Sequence, residues 1–138
     1  PVPMPMKLQP YQAVVEEEGE LSGIVIDGVL THGVRKTPVP GDFRVQDDWG
    51  GTDRPHSFTS AERRVIEDVL DAALDAVEAE AQLRLERPLL YARADFLRAA
   101  DGGLQLVELE LVEPSLFFRH GPAAAGRFAA AVVGVDGE

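Results

Sequence analysis

The chain has 138 residues, 45% of them apolar and 27% charged, a globular mix long enough for one domain with a core and unlike a wholly disordered chain. Its 13 basic residues against 24 acidic ones leave a formal charge of −11, which argues against electrostatic binding of nucleic acid or of an anionic membrane surface. With no cysteine, disulfides, thiolate metal sites and cysteine nucleophiles are excluded.

No apolar run reaches the length of a membrane-spanning helix, and Pro1 to Met6 lacks the basic region and apolar block of a signal peptide, so a cytoplasmic location is expected. The first residue is Pro, not Met, which leaves the native start open.

Lys7 to Tyr11 reads as a short strand broken at Pro10, and Glu16 to Glu20 as an acidic turn. The β-branched run Ile24-Val25-Ile26, followed by Asp27-Gly28 and then Val29 to Lys36, predicts an antiparallel hairpin over 21–36. Residues 37–58 are rich in Gly and Pro around Arg44, Gln46 and Trp49. A segment of that length without regular structure is a candidate active-site loop, the alternative being a solvated connection.

Thr59 with Glu62 three residues on is a capping box, and Val65, Ile66, Val69, Leu70, Ala73, Leu74 and Val77 repeat at helical spacing, predicting a helix over 60–83. Leu89 to Leu97 and Leu104 to Val112 read as two strands joined tightly at Asp101-Gly102-Gly103. The Ala-rich stretch after Pro122 predicts a short helix. The expected fold class is α+β: an antiparallel sheet of two hairpins with a long helix packed on one face.

The last strand carries Glu108 and Glu110 on one face, with Val107, Leu109 and Leu111 on the other, towards the helix. The Cα atoms of the two glutamates are roughly 6.6 Å apart. A hairpin turning on Asp101-Gly102 places Asp95 opposite Glu108 and Arg93 opposite Glu110; one turning on Gly102-Gly103 places Asp95 opposite Glu110. Both registers gather Asp95, Glu108 and Glu110 on one face, while a shift by one residue scatters them. Three carboxylates so close repel one another, and oxygen ligands without His or Cys suit Mg²⁺ or Mn²⁺. The alternative is a solvent-facing strand whose glutamates pair with Arg93 or Arg98.

Two stretches resemble a known family, the ATP-grasp ligases. One is Arg35-Lys36-Thr37-Pro38, then Gly41-Asp42-Phe43-Arg44-Val45-Gln46 and Gly50-Gly51. The other is Arg93-Ala94-Asp95-Phe96-Leu97-Arg98, then Gly103, then Leu106 through Ser115. Their order is similar to that in the bacterial glutathione synthetase and ribosomal-protein glutamate ligase branch. The run Glu-Leu-Glu-Leu-Val-Glu-Pro at 108–114 resembles most the small cyclo-ligases of the cycloserine-pathway type.

The resemblance spans about residues 6–133 and implies that 1–138 is one C-terminal ATP-grasp lobe, part of a larger ligase. It implies ATP and Mg²⁺ (or Mn²⁺) as cofactors. Gln9 falls where the hinge backbone meets adenine, Glu20 where an acidic residue reaches the ribose, and Lys36 and Arg44 where basic groups meet the γ-phosphate or an acyl phosphate, the catalytic positions. Asp95, Glu108 and Glu110 fall on the metal ligands.

Two positions depart from the pattern: many relatives have Asn at Glu110, and some carry Arg at Ser22. The segment Phe117-Phe118-Arg119-His120 falls where the family closes its active site. The implied partners are nucleotide, a small carboxylate and amine substrate, and a complementing N-terminal lobe or a second copy of the chain. The expected activity of the full protein is carboxylate–amine (or cyclising C–N) ligation through an acyl phosphate, with this chain alone inactive. The alternative is a non-catalytic acidic α+β module that binds a divalent cation or a partner protein.

Overall fold

The computed structural model describes residues 10–39, 51–85 and 88–135. Five antiparallel strands form one sheet in the order β3-β2-β1-β4-β5. In chain order the elements are α1 (Val14–Glu18), β1 (Glu20–Ile26), β2 (Val29–Thr37), β3 (Thr52–His56), α2 (Ser60–Ala81), β4 (Tyr91–Arg98), β5 (Leu104–Glu110) and α3 (Pro122–Val135). This is the α+β class expected from the sequence, with both hairpins in place.

The β1–β2 hairpin turns on Asp27 and Gly28, both at positive φ (49° and 70°), with Ile26 paired to Val29. That backbone suits a two-residue turn matched to the right-handed strand twist, which is why Asp-Gly marks it in sequence. β1 then pairs on its other side with β4, from Leu21 opposite Phe96 to Ile26 opposite Tyr91. The centre of the sheet therefore joins segments about 70 residues apart, and α2 fills the crossing between them.

Each face of the sheet has its own apolar layer. On one, Leu21, Val25, Leu30, Ala94 and Phe96 pack with Phe58 and with Ile66, Leu70 and Leu74 of α2. The N-terminus of α2 is closed by the expected capping box: Thr59 accepts from the Glu62 amide and the Glu62 carboxylate from the Thr59 amide. On the other face, Ile24, Ile26 and Val34 pack with Phe117, Phe118, and Ala124 and Phe128 of α3. The Arg127 side chain ties α3 to the β1–β2 turn by donating to the carbonyls of Ile26 and Asp27 at 2.9 and 3.0 Å.

Four details differ from the sequence expectation. Glu16–Glu18 end a short helix, α1, rather than forming a turn. Within the expected 37–58 loop, Thr52–His56 is an edge strand on β2; Pro55 sits in it, as an edge permits. The buried stripe of α2 is narrower than its periodicity, because Val65 and Val77 lie 39% and 40% exposed. The β4–β5 connection is five residues, with Arg98 paired to Leu104, rather than a two-residue turn. Of the expected strand Lys7 to Tyr11, residues 7–9 lie outside the described residues.

Ile66→Ala, at a side chain with no exposure, is expected to cost about 2–5 kcal/mol of stability. Val65→Ala, one position away on the outer surface, is expected to stay within about 0.5 kcal/mol. Urea unfolding of the two variants checks the direction in which α2 faces.

Candidate functional site

The candidate face is the one that α3 covers only at one end. Cross-strand partners point to the same side of a sheet. Glu20 pairs with Lys36, Ser22 with Asp95, Asp95 with Glu108, Arg93 with Glu110, and Lys36 with Asp53. These residues therefore share one face, beyond the apolar patch of Ile24, Ile26 and Val34.

A β-bulge makes this possible. At the turn end of the hairpin, Phe96 pairs with Leu106; one step on, Asp95 pairs with Glu108, leaving Val107 as an extra residue on β5. Continued without the bulge, the turn-end register would put Glu108 opposite Ala94, on the α2 side. Val107 itself packs with Val14, Val15 and Leu97, not on the α2 core as its alternation suggested; Leu106, Leu109 and Leu111 pack there.

Asp95 is the centre of the cluster, 1% exposed. Ser22 Oγ donates to its Oδ1 at 2.6 Å, Lys36 Nζ lies 3.1 Å from Oδ2, and Arg93 Nε lies 3.1 and 3.2 Å from the two oxygens. Arg93 Nη2 is 3.0 Å from Asp95 Oδ2 and also 2.5 Å from Glu110 Oε2. That second contact is an ion pair without hydrogen-bond geometry, and Glu110 Oε2 is buried and accepts no hydrogen bond. Lys36 also pairs with Glu20. Glu108 is exposed at the rim.

Burial pushes the Asp95 carboxyl up, but Lys36, Arg93 and the Ser22 hydroxyl outweigh it and hold the group below the usual aspartate range. Glu20 moves the other way: burial raises it, Asp95 adds to the rise, and Lys36 only partly offsets both. Lys36 lowers both carboxyls but prevails only at Asp95, where Arg93 and Ser22 act with it.

At the Glu20 end of the face is a groove of about 380 Å³, lined by Pro10, Tyr11, Gln12, Val15, Glu20, Leu97 and Val107 among others. It leads directly to the Glu20–Lys36 pair. A groove of about 470 Å³ lies on the opposite face, between α2 and the β1–β2 turn, away from the charged cluster and lined mainly by core side chains such as Val25, Leu70 and Leu74.

The chain after β5 folds back across the functional face. Asp53 of β3 holds both Arg119 and His120 there. The Phe117 ring has Arg93 on one contact (5.9 Å to its centroid) and Arg119 on another (5.1 Å).

Of the residues expected from the sequence, Glu20, Lys36, Asp95, Glu108 and Glu110 are brought together on this face. Gln9 and Arg44 lie outside the described residues. Arg93, expected at most to pair with the glutamates, and Ser22, noted only as a departure from the family pattern, are direct partners of Asp95. The signal for Arg93 was its place two residues before Asp95, hence on the same face. No comparable signal exists for the Asp53 clamp, which joins residues 66 and 67 positions apart.

The Mg²⁺ that the resemblance implies does not fit the three carboxylates in this arrangement. Both Asp95 oxygens are occupied, and a guanidinium nitrogen stands between Asp95 and Glu110, where Mg²⁺ would need oxygens at about 2.0–2.1 Å. Among the described residues no group of three or more His, Asp or Glu is placed to hold a metal ion.

No family model matches the sequence. The cycloserine biosynthesis protein DcsG of Streptomyces lavendulae is 36% identical over 126 residues, which is 91% of this chain and 40% of that protein. The crystal structure of D-cycloserine synthetase DcsG matches with a TM-score of 0.70 at 32% identity, over 90% of this chain and 40% of that one. The chain is related to the ATP-grasp ligases. It spans 40% of the length of the curated relative that it matches. The structure of the ATP-grasp ligase PsnB complexed with minimal precursor, Mg and ADP matches at 18% identity and a TM-score of 0.47, over 81% of this chain and 33% of that one. At that distance the likeness adds nothing to the reading of the site. No helix among the described residues is long and apolar enough to cross a membrane.

Asp95→Asn is expected to destabilise the chain by about 3–5 kcal/mol near neutral pH, because two buried cations lose their anion. The Asp95 carboxyl is lowered in the folded state, so its contribution is fully present above the ordinary aspartate pKa. That contribution is lost as pH falls through the lowered value. Urea unfolding at a series of pH values should show the gap between parent and variant narrowing only at acid pH.

Proposed function

We propose that this chain is the nucleotide-binding lobe of an ATP-dependent ligase that joins a carboxylate to an amine through an acyl phosphate. The observation that carries this reading is the layout of one face. An apolar hinge groove adjoins Glu20, and beyond it two buried cations, Lys36 and Arg93, sit among four carboxylates. Such a surface can take a base, a ribose and a row of phosphates in that order. The similarity to D-cycloserine synthetase over 90% of the chain supports the same reading.

In the reaction, a substrate carboxylate oxygen attacks the γ-phosphorus of ATP, the bond to the bridging oxygen breaks, and ADP leaves. The amine nitrogen then attacks the acyl carbon, inorganic phosphate leaves, and the nitrogen loses a proton. Phosphoryl transfer of this kind gains mostly from positioning and from fixed positive charge beside the phosphates. Lys36 and Arg93 supply that charge from a rigid sheet rather than from surface side chains. Leu97, Val15 and Val107 exclude water around the base, and Glu20 is placed to accept from a ribose hydroxyl. Arg44 and Gln9 keep the phosphate and hinge roles that the resemblance implies. The acid and the amine are held by parts of the full ligase that this chain does not include.

Calorimetric titration of Mg·ATP into the protein extended upstream tests the proposal. Saturable binding is expected, and Val107→Trp, which fills the hinge groove with an indole, is expected to weaken it roughly tenfold or more, a difference of about 1.4 kcal/mol. An extended, folded protein that binds no nucleotide would overturn the assignment.

A further inference from the structure

We infer that His120, oriented by Asp53, takes the proton from the attacking amine in the second half of the reaction. The inference rests on the ligase reading and supplies the proton acceptor which that reaction leaves unnamed.

The position follows from the order of side chains across the sheet. Glu20 of β1 pairs with Lys36 of β2, and Lys36 pairs with Asp53 of β3. The three stand in one row on one face, a strand spacing of about 4.8 Å apart. The groove lined by Val15, Leu97 and Val107 adjoins the Glu20 end of that row. A nucleotide laid from the groove past Glu20, with its terminal phosphate at Lys36, has Asp53 beyond that phosphate, on the side left for the acyl group and the amine. Asp95, Glu108 and Glu110 lie on β4 and β5, on the nucleotide side of Lys36.

Several contacts fix His120 beside Asp53. Asp53 holds its Nε2 and holds the neighbouring Arg119 as well, so the imidazole is kept in place without needing a charge of its own. The His120 amide donates to the Phe117 carbonyl at 2.8 Å, closing a turn in which Phe117 has a φ of 46°. A bulky residue at positive φ is costly backbone that persists only where its surroundings impose it. On the other side, a Cβ on Gly121 would come within 2.4 Å of the His32 ring, and His32 Nε2 lies 3.0 Å from the Leu116 carbonyl. The charged and titratable groups around His120 are therefore Asp53, Arg119 and His32.

A carboxylate only accepts, so Nε2 carries the hydrogen and the neutral ring keeps its lone pair on Nδ1. Among the described residues Nδ1 makes no hydrogen bond, and it is not a buried atom. An imidazole with a carboxylate behind it is the common form of a base that works near neutral pH. The lone pair of the uncharged amine forms the C–N bond to the acyl carbon, and the nitrogen becomes positive. Nδ1 accepts a proton from that nitrogen, while the C–O bond to the phosphate breaks and inorganic phosphate leaves with its electron pair. The imidazolium then returns the proton to water. Asp53 is the positioning residue of the pair.

The test gives the upstream-extended protein Mg·ATP with each standard amino acid as trial acid. The acyl phosphate is captured by hydroxylamine, read as the coloured iron hydroxamate, or by a second amino acid, read as the coupled product. The hydroxylamine adduct gives up its proton to water, whereas the amino-acid adduct needs the base. His120→Gln is expected to slow coupling by roughly a hundredfold more than it slows hydroxamate formation, and to remove the rise in coupling rate across the imidazole range. Asp53→Asn should show the same split. A folded His120→Gln that loses both activities equally, or keeps its coupling rate, overturns the inference and leaves the ligase reading standing. No hydroxamate from any acid, in a protein that binds Mg·ATP, removes the acyl-phosphate reading and this inference with it. One measurement needs no variant: nitrogen–proton correlation spectra of the unmodified chain should place the proton of neutral His120 on Nε2, and a proton on Nδ1 overturns the assignment.

Discussion

A single buried carboxylate organises this lobe. Asp95 lies on β4, beside the central strand of a five-stranded sheet, and its charge is met from three directions by Ser22, Lys36 and Arg93. These partners come from three different strands, β1, β2 and β4, so the ion-pair network holds the same strands together that the backbone pairs. Burying one acid with two bases is costly unless each is satisfied. Here the satisfaction is nearly complete, and the one defect, at Glu110, lies at the edge of the network facing the open part of the site.

The two faces of the sheet divide the labour. One is covered by α2 and buries apolar surface. The other is covered by α3 and the Phe117–Phe118 segment at one end and by α1 at the other, with the charged cluster between them among the described residues. A sheet so arranged can be rigid beneath a polar site, because the layer that stabilises it and the layer that binds are on opposite sides.

Much of this was legible in the residues. The hairpin at Asp27-Gly28 and the capped helix after Thr59 each depend on local chemistry, and both stand where expected. The facing of Asp95 and Glu108 was one of two registers that the alternation allowed. The edge strand Thr52–His56 was hidden because its residues have little β character, and it forms only by pairing with β2. The metal reading counted like charges on one face, and the alternative reading already offered Arg93 as a partner for the glutamates but not for Asp95. From sequence alone an arginine two positions from an aspartate on a strand looks like any solvent-facing pair. Only the contact geometry shows one guanidinium nitrogen shared between two carboxylates.

The extra residue at Val107 has an evolutionary side. The five-residue connection between β4 and β5 is free to grow or shrink, since the pairing on either side of it does not depend on its length. Beyond Leu106, by contrast, the acidic side chains reach the binding side because Val107 stands outside the pairing, so that Leu106 opposite Phe96 is followed by Glu108 opposite Asp95. Val107 could be lost with Glu108 still opposite Asp95 in a regular ladder, whereas a residue gained within the ladder would turn every acid of the strand into the apolar layer beneath. Insertions among relatives of this lobe should therefore gather in the turn and stop abruptly beyond the bulge.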